Sequence, residues 1–156
     1  MYNPIQIANK FIELGVMNGS PITQMKAQKL TYIAHGISLG FYNKTLLSTP
    51  VCAWRYGPVV PSLYNLLKDN GSSLIMKPVQ LSATFMAPLD HHTDQMLTSV
   101  FNFYNNYSAE QLSDFTHREG TPWYEATKIG ADIISDESIQ SYYRRLLNKD
   151  PNCIGL

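Results

Sequence analysis

The sequence predicts a mostly α-helical fold, a single compact domain of about six or seven helices with one small β-hairpin. Apolar residues recur at helical spacing along most of the chain, and capping residues stand where these segments begin. One stretch before the middle of the chain instead combines β-forming residues with prolines, as a hairpin does. The 156 residues suit one domain, and no linker, internal repeat or low-complexity tract divides them.

Seven segments carry the helical pattern. The residues expected to cap or open them are Asn3 with Pro4, Thr23, Pro58 or Pro61, Asp90, Ser108, Thr121 with Pro122, and Ser135 or Asp136. The expected ends are about Met17, Phe41, Asp69, Tyr107, Gly120 and Ile129, and the last helix continues towards the C terminus. The second helix is apolar on so much of its circumference that it should be central, and its Gly36 and Gly40 should let another backbone approach closely.

The predicted hairpin occupies residues 44–56. Residues 46–47 would form its first strand and residues 51–56 its second, with the turn at residues 49–50. Gly57 would then end the second strand, because glycine permits a backbone turn that other residues resist.

The least regular part of the chain is residues 71–89. Two short strands, at residues 78–81 and 84–86, fit this segment, and an ordered loop fits it equally. The choice between strands and a loop stays open from the sequence.

Composition and charge favour some classes of protein over others. The charged fraction is 15%, against about 25% in an average globular domain, so Asn, Gln, Ser, Thr and Tyr must cover much of the surface. Twelve basic residues balance twelve acidic ones, which argues against a nucleic-acid partner because phosphate neutralisation supplies most of such affinity. The sequence contains no run of 18 apolar residues that would predict a membrane span, and its first residues lack the features of a signal peptide. The distant Cys52 and Cys153 fit neither a disulfide framework nor a zinc site, so we expect a reducing, cytoplasmic setting.

Catalytic motifs are absent from the sequence, which has no nucleophile elbow, Walker loop, H-E-x-x-H helix or C-x-x-C pair. Asp114, His117 and Glu119 form the most catalytic-looking group, because Asp114 and His117 share a helix face and a carboxylate can orient an imidazole. The same stretch is explained as a helix–helix corner, with His117 in the last turn of a helix and Gly120 just beyond it. We favour the corner, which predicts that the protein is not an enzyme, and keep a hydrolase using His117 as the lesser alternative.

Histidine and lysine groups elsewhere give little indication of a site. His91 and His92 would point about 100° apart on a helix, so they should not share a metal, and we expect neither a metal nor another cofactor. Small basic groups lie on helices at Lys26 and Lys29 and at Arg144, Arg145 and Lys149. A solvated face is the default interpretation of such groups, and docking to an acidic partner is the functional alternative.

The segment W-R-Y-G-P-V-V-P, residues 54–61, combines several constraints. Trp54 and Tyr56 would face one side of a strand and Arg55 the other, before a stiff, proline-rich exit. The two rings either bury in the core or form a binding platform, with Trp54 expected inside and Tyr56 partly outside.

Three blocks of the sequence together resemble the Panacea domain, also called the SocA-like, phage-associated family. Residues 28–36 are similar to its Q-K-L-x-Y-x-A-x-G helix motif, with Thr31 where an aliphatic residue is commoner. Residues 54–64 resemble its W-x-Y-G-P-V-x-P-x-x-Y block. Residues 112–123 resemble its L-S-x-x-T-H-x-x-x-P-W block, with one residue more than the block has between His117 and Pro122. The blocks stand in the expected order and spacing. The residues that carry the resemblance, in a structural or a partner-binding role, are Gln28, Lys29, Tyr32, Trp54, Tyr56, Gly57, Pro58, Pro61, Tyr64, Thr116, His117, Pro122 and Trp123.

The resemblance implies a function in protein binding. Panacea domains act as antitoxins that neutralise varied small toxins by direct association, so a cognate toxin is the expected partner. One member of the family is instead an adaptor that delivers its toxin to a ClpXP-type protease, and others are known only as phage-associated. A proteolytic adaptor or a phage accessory interaction protein is therefore the alternative expectation for this chain. Read this way, residues 54–61 chiefly fix a shared scaffold, and the partner surface is expected on residues 71–89 or on the last helix.

Overall fold

The computed structural model describes residues 1–81 and 86–150, and within these ranges the chain is mostly helical, as predicted. Seven α-helices run through the described residues: α1 (Pro4–Met17), α2 (Gln24–Tyr42), α3 (Pro61–Leu67), α4 (His91–Tyr104), α5 (Ala109–His117), α6 (Pro122–Lys128) and α7 (Asp136–Lys149). Short strands lie between them: β1 (Ile22–Thr23), β2 (Val51–Trp54), β3 (Gly57–Val59), β4 (Leu74–Ile75) and β5 (Ile133–Ile134). A 3-10 turn, Lys68–Asn70, extends α3.

Most helices begin at the capping residues that the sequence indicates. A side-chain oxygen accepts a hydrogen bond from a first-turn backbone N–H at Asn3, Thr23, Asp90, Ser108, Thr121 and Ser135. Asn3 and Ser108 form complete capping boxes, in which the glutamine three residues on bonds back to the cap. The observed helix ends lie within one helical turn of the predicted ones, which is the usual uncertainty of such boundaries.

Helix α2 is the centre of the fold and is buried along most of its length. It packs against α1, α4, α5 and α7. The close approach expected at its glycines is confirmed, because a Cβ on Gly36 would overlap the ring of Tyr143 and one on Gly40 would lie 2.7 Å from the Cβ of Tyr143. His35, beside Gly36, places Nε2 3.0 Å from Oδ1 of Asp136 and so adds a polar contact between α2 and α7.

The β-hairpin lies later in the chain than predicted. Strand β2 pairs with β3 in the antiparallel register Cys52↔Val59, Ala53↔Pro58 and Trp54↔Gly57. The turn is therefore Arg55–Tyr56, and Gly57 opens β3 instead of ending β2, which was the second strand of the predicted hairpin. Gly57 has φ +114, a conformation that L side chains rarely adopt, and this supplies the reversal. Pro58 is tolerated because β3 is an edge strand, where a missing N–H breaks no ladder.

The predicted strand at residues 46–47 is not part of that hairpin. The backbone N–H of Tyr2 donates to the Leu46 carbonyl at 2.7 Å, and that of Ser48 donates to the Tyr2 carbonyl at 2.9 Å. Tyr2 and Leu47 form an isolated parallel bridge. Leu46 and Leu47 are buried, so their apolar pattern reflects burial against the chain start and not pairing with β2.

Very short pairings that the sequence does not indicate complete the β structure. Strand β5 joins the free side of β2, giving the order β3-β2-β5, and β1 pairs with β4. Residues 78–81 form no strand, which corrects the strand alternative for them: the side-chain amide of Asn9 exchanges two 2.9 Å hydrogen bonds with the backbone of Val79. Residues 84 and 85 of the other suggested strand lie outside the described residues.

The large apolar side chains of Met25 and Phe41 on α2 and of Leu66 on α3 are exposed. Leu63 and Leu67 supply the buried face of α3, and Leu66 stands on its outer side. None of the described helices is long and apolar enough to cross a membrane. Cys52 is a free cysteine, while Cys153 lies outside the described residues.

Candidate functional site

The β2–β3 hairpin is held on several sides by helices, and the contacts are made by residues of the three sequence blocks. Its inner side faces α2 and α5, while its turn and the rings of Trp54 and Tyr56 face outward. We call this unit, residues 54–60 with the helical side chains that bond to it, the clasped hairpin.

Gln28 of α2 fixes the exit of the hairpin. Its side-chain oxygen accepts from the backbone N–H of Val60 at 3.1 Å, and its side-chain nitrogen donates to the Val60 carbonyl at 3.1 Å. Both residues are buried, so this pair of hydrogen bonds satisfies main-chain groups that would be costly to leave unpaired. Pro61 follows directly and opens α3.

Lys29 fixes the turn. Its Nζ donates to the carbonyls of Tyr56 at 3.3 Å and Pro58 at 3.1 Å, on either side of Gly57. A Cβ on Gly57 would lie 2.7 Å from that Nζ, so only glycine leaves room for the ammonium. The residue is 2% exposed, and burial lowers the pKa of the Lys29 ammonium to about 8. The solvated face expected for Lys29 is therefore wrong.

Helix α5 contacts the Arg55–Tyr56 turn from the side opposite to Lys29. The Ser113 hydroxyl donates to the Tyr56 carbonyl at 3.3 Å. His117 donates from Nδ1 to the Ser113 carbonyl at 2.6 Å, and a Cβ on Gly57 would lie 2.8 Å from its Cε1. In the described part of the chain, Asp114 is not among the hydrogen-bond partners of His117, so the carboxylate expected to orient the imidazole does not do so.

Helix α6 and α3 hold the start of the hairpin. The indole N–H of Trp123 donates to the Trp54 carbonyl at 2.7 Å, and its ring packs edge-on against His117 with centroids 4.4 Å apart. On the outer side, the rings of Trp54 and Tyr64 meet with centroids 5.0 Å apart.

The corner between α5 and α6 places Trp123. The Thr121 hydroxyl donates to the carbonyls of Thr116 at 3.1 Å and Arg118 at 2.7 Å, and it caps α6. Thr116, Thr121 and Pro122 are buried there. The predicted helix–helix corner is therefore what the structure contains.

Most of the block residues thus meet at one hairpin, Thr116 and Pro122 lie in the α5–α6 corner beside it, and Tyr32 lies elsewhere. Its ring packs on Tyr143 of α7, with centroids 6.1 Å apart, away from the hairpin. The convergence was not visible in the sequence, because the blocks are far apart along the chain. The contributor left out of the candidate residues was Ser113, one turn before His117, although it is the serine of the L-S-x-x-T-H motif.

The outer side of the hairpin borders an open groove with a volume of about 590 Å³. We call it the aromatic groove, after its lining by Met25, Trp54, Tyr56 and Tyr64, with Lys29 and Arg55 as its charged residues. Trp54 is 39% exposed and Tyr56 is 68% exposed, so the expectation that Trp54 lies inside is wrong. The turn at Arg55–Tyr56 explains this, since it carries both rings to the edge of the fold.

Other candidate residues are not assembled into a site. His91 and His92 are exposed at the start of α4, and the His92 ring packs on Tyr42 with centroids 4.5 Å apart. Within residues 1–81 and 86–150, no group of three or more His, Cys, Asp or Glu residues could hold a metal ion. Arg144 donates to the side chain of Asn43 at 3.3 Å, while Arg145 and Lys149 are exposed on α7.

The fold and the clasped hairpin define a small helical protein with a rigid, aromatic-edged hairpin on one side. Residues 28–124 match the family model described as antitoxin SocA-like, Panacea domain, and the chain belongs to this family. The chain is also 28% identical over 151 residues to a protein named Antitoxin SocA from Caulobacter vibrioides (strain NA1000 / CB15N). That alignment covers 88% of this chain and 80% of the relative. No solved structure matches the chain.

Proposed function

We propose that this chain is an antitoxin that neutralises a cognate toxin protein by binding it directly. The observation that carries the proposal is the match of residues 28–124 to an antitoxin family. The relative named Antitoxin SocA supports it, because that alignment covers most of both chains. As an antitoxin, the chain would act in the cytoplasm as one binding domain, where its toxin is made.

The chemistry of the clasped hairpin supports binding over catalysis. The polar side chains that meet there bond to backbone carbonyls: Lys29 to Tyr56 and Pro58, and Ser113 to Tyr56. A candidate catalytic residue needs a reacting group within reach of its proton. The Nδ1 proton of His117 is directed at the Ser113 carbonyl, which favours a role in holding α5 and the hairpin in place.

Expression in cells tests the proposal. The product of the small gene beside this chain's own gene is expressed alone and together with the chain, and growth and copurification are measured. We expect growth arrest by that product alone, rescue by the chain, and a complex that copurifies. A neighbour that is harmless alone, or is toxic and not rescued, would contradict the proposal.

The half-life of the toxin separates direct neutralisation from delivery to a protease. Direct neutralisation predicts that the chain leaves the toxin's half-life unchanged, in cells with and without a ClpXP-type protease. A half-life that falls in the presence of the chain, only where the protease is present, would assign the chain to the adaptor class.

A further inference from the structure

The aromatic groove is an apolar surface that the clasped hairpin presents outward. Met25 is 41% exposed, and with Trp54 and Tyr56 it places three large, exposed apolar side chains along a single opening. Single exposed apolar residues are ordinary on protein surfaces, but contiguous ones mark binding sites. Trp, Tyr, Met and Arg are also the residue types enriched in the cores of protein–protein interfaces.

Contacts within the chain hold the hairpin backbone that carries the rings of the groove. Trp54 is held by the Trp123 hydrogen bond at its carbonyl and by Tyr64 at its ring, and Tyr56 is held at its carbonyl by Lys29 and Ser113. Binding to a preorganised surface costs less conformational entropy than binding to mobile side chains. The clasp therefore positions the rings for an incoming segment.

The charge of the groove is one-sided, although the whole chain carries equal numbers of acidic and basic residues. Among the described residues, its lining includes two cations, Lys29 and Arg55, and no carboxylate. Neither cation forms an ion pair within the described residues. Lys29 bonds only to carbonyls there, and the Arg55 guanidinium lies 5.3 Å from the Tyr56 ring centroid at the exposed turn. A carboxylate supplied by a binding partner would give these cations the opposite charge that they lack within the described residues.

We propose, resting on the proposed function, that the aromatic groove is the docking site for the toxin and takes a short segment with an acidic side chain beside apolar ones. The apolar side chains of that segment pack on Trp54, Tyr56 and Met25, and its carboxylate pairs with Arg55 at the rim, towards Lys29. This assignment replaces the expectation that the partner surface lies on residues 71–89 or on α7.

Charge also argues against two other occupants. A second copy docked by this same surface around a two-fold axis would bring Arg55 and Lys29 of the copies towards each other, and like charges in contact are costly. A nucleic-acid strand would use stacked rings together with a long basic track. Two cations in a mainly apolar groove fit one carboxylate better.

The test measures binding between the purified chain and the purified product of the neighbouring gene by calorimetry. Two groove variants, Tyr56→Ala and Arg55→Glu, each change an exposed residue and should leave folding intact. The matched controls are Ile129→Ala, at an apolar residue that is 80% exposed on the end of α6, and Arg145→Glu on α7. Thermal melting of all four variants checks that the fold is retained.

We expect each groove variant to weaken binding at least tenfold and each control to bind within twofold of the unaltered chain. An Asp→Lys or Glu→Lys change in the toxin segment should restore binding to the Arg55→Glu chain. Groove variants that bind as tightly as the unaltered chain would overturn the docking assignment and leave the proposed function standing. An unaltered chain that does not bind at all would overturn the proposed function and the groove assignment with it. Concentration-dependent dimers that Tyr56→Ala abolishes would point to a second copy as the occupant and overturn the assignment.

Discussion

The indole N–H of Trp123 donates a 2.7 Å hydrogen bond to the carbonyl oxygen of Trp54, which joins the α5–α6 corner to the start of the hairpin. Gln28 makes the equivalent connection from α2 to the end of the hairpin at Val60. The two bonds bracket the turn between them. The three sequence blocks are therefore parts of one clasp, which explains why they occur together.

Replacing Trp123 by Phe tests the first of these bonds. The variant keeps an aromatic ring against His117 but removes the indole donor to the Trp54 carbonyl, so we expect a loss of about 1 kcal/mol in the free energy of unfolding. Urea unfolding measures it. Tyr124→Phe, which removes a polar group from the next residue of α6, is the control and should change stability by less than about 0.5 kcal/mol. If the two variants lost the same free energy of unfolding, the hydrogen bond from Trp123 to Trp54 would not be stabilising the fold.

Gly57→Ala tests how tightly the turn is enclosed. The new Cβ combines a strained φ of +114 with close approach to Nζ of Lys29 and Cε1 of His117, so we expect a loss of about 2–4 kcal/mol. Gly120→Ala is the matched control, because Gly120 has φ +84 and no atom within 4 Å of its added Cβ. It should cost only about 1 kcal/mol from backbone strain. Similar losses for both variants would show that strain alone matters at Gly57.

Thr31→Val should stabilise the protein. Thr31 is fully buried in α2, and its hydroxyl oxygen has no hydrogen-bond partner within the described structure. Valine has nearly the same shape and removes the unpaired group, so we expect a gain of about 1 kcal/mol, measured as a higher urea midpoint. Thr98→Val is the control: the Thr98 hydroxyl donates to the Asp94 carbonyl at 2.9 Å, so this change should bring no gain. A less stable Thr31→Val chain would contradict the account.

Lys29 makes stability depend on pH. Burial lowers its pKa from 10.5 to about 8, so between these values the unfolded chain binds more protons than the folded one. The free energy of unfolding should therefore rise with pH, by about 2 kcal/mol from pH 7.5 to pH 9.5 for this group alone. NMR titration of the Lys29 ε-carbon measures its pKa directly, and Lys29→Met should lose the rise. A Lys29 pKa near 10.5 would contradict the conclusion that its ammonium is buried without a carboxylate partner.

The sequence was most informative where structure is local. Helix starts depend on a cap and its first turn, so the caps Asn3 and Ser108 could be predicted directly, although Gln6, the glutamine partner of Asn3, was not. The hairpin was misplaced because residues 46–47 look like a strand, although their partner is Tyr2 near the chain start. The apolar pattern of a short segment indicates that it is buried or extended, but it cannot identify the residue with which that segment pairs when the two are far apart in the sequence.

The sequence predicted which residues belong to the site but not how they contact one another around the hairpin. The family blocks named Lys29, yet helix spacing placed it on a solvated face, because its carbonyl partners come from a hairpin whose register was not known. Trp54 was expected inside for a related reason. Once the turn falls at Arg55–Tyr56, the ring of Trp54 sits at the edge of the fold beside Tyr64.

The most direct test of direct neutralisation uses purified components with no protease present. The chain is titrated into the toxin while complex formation and the toxin's own activity are followed together. The account predicts a stoichiometric complex and loss of toxin activity in proportion to the complex formed. A toxin that stays fully active beside an excess of the folded chain, or is silenced only after a protease is added, would contradict it.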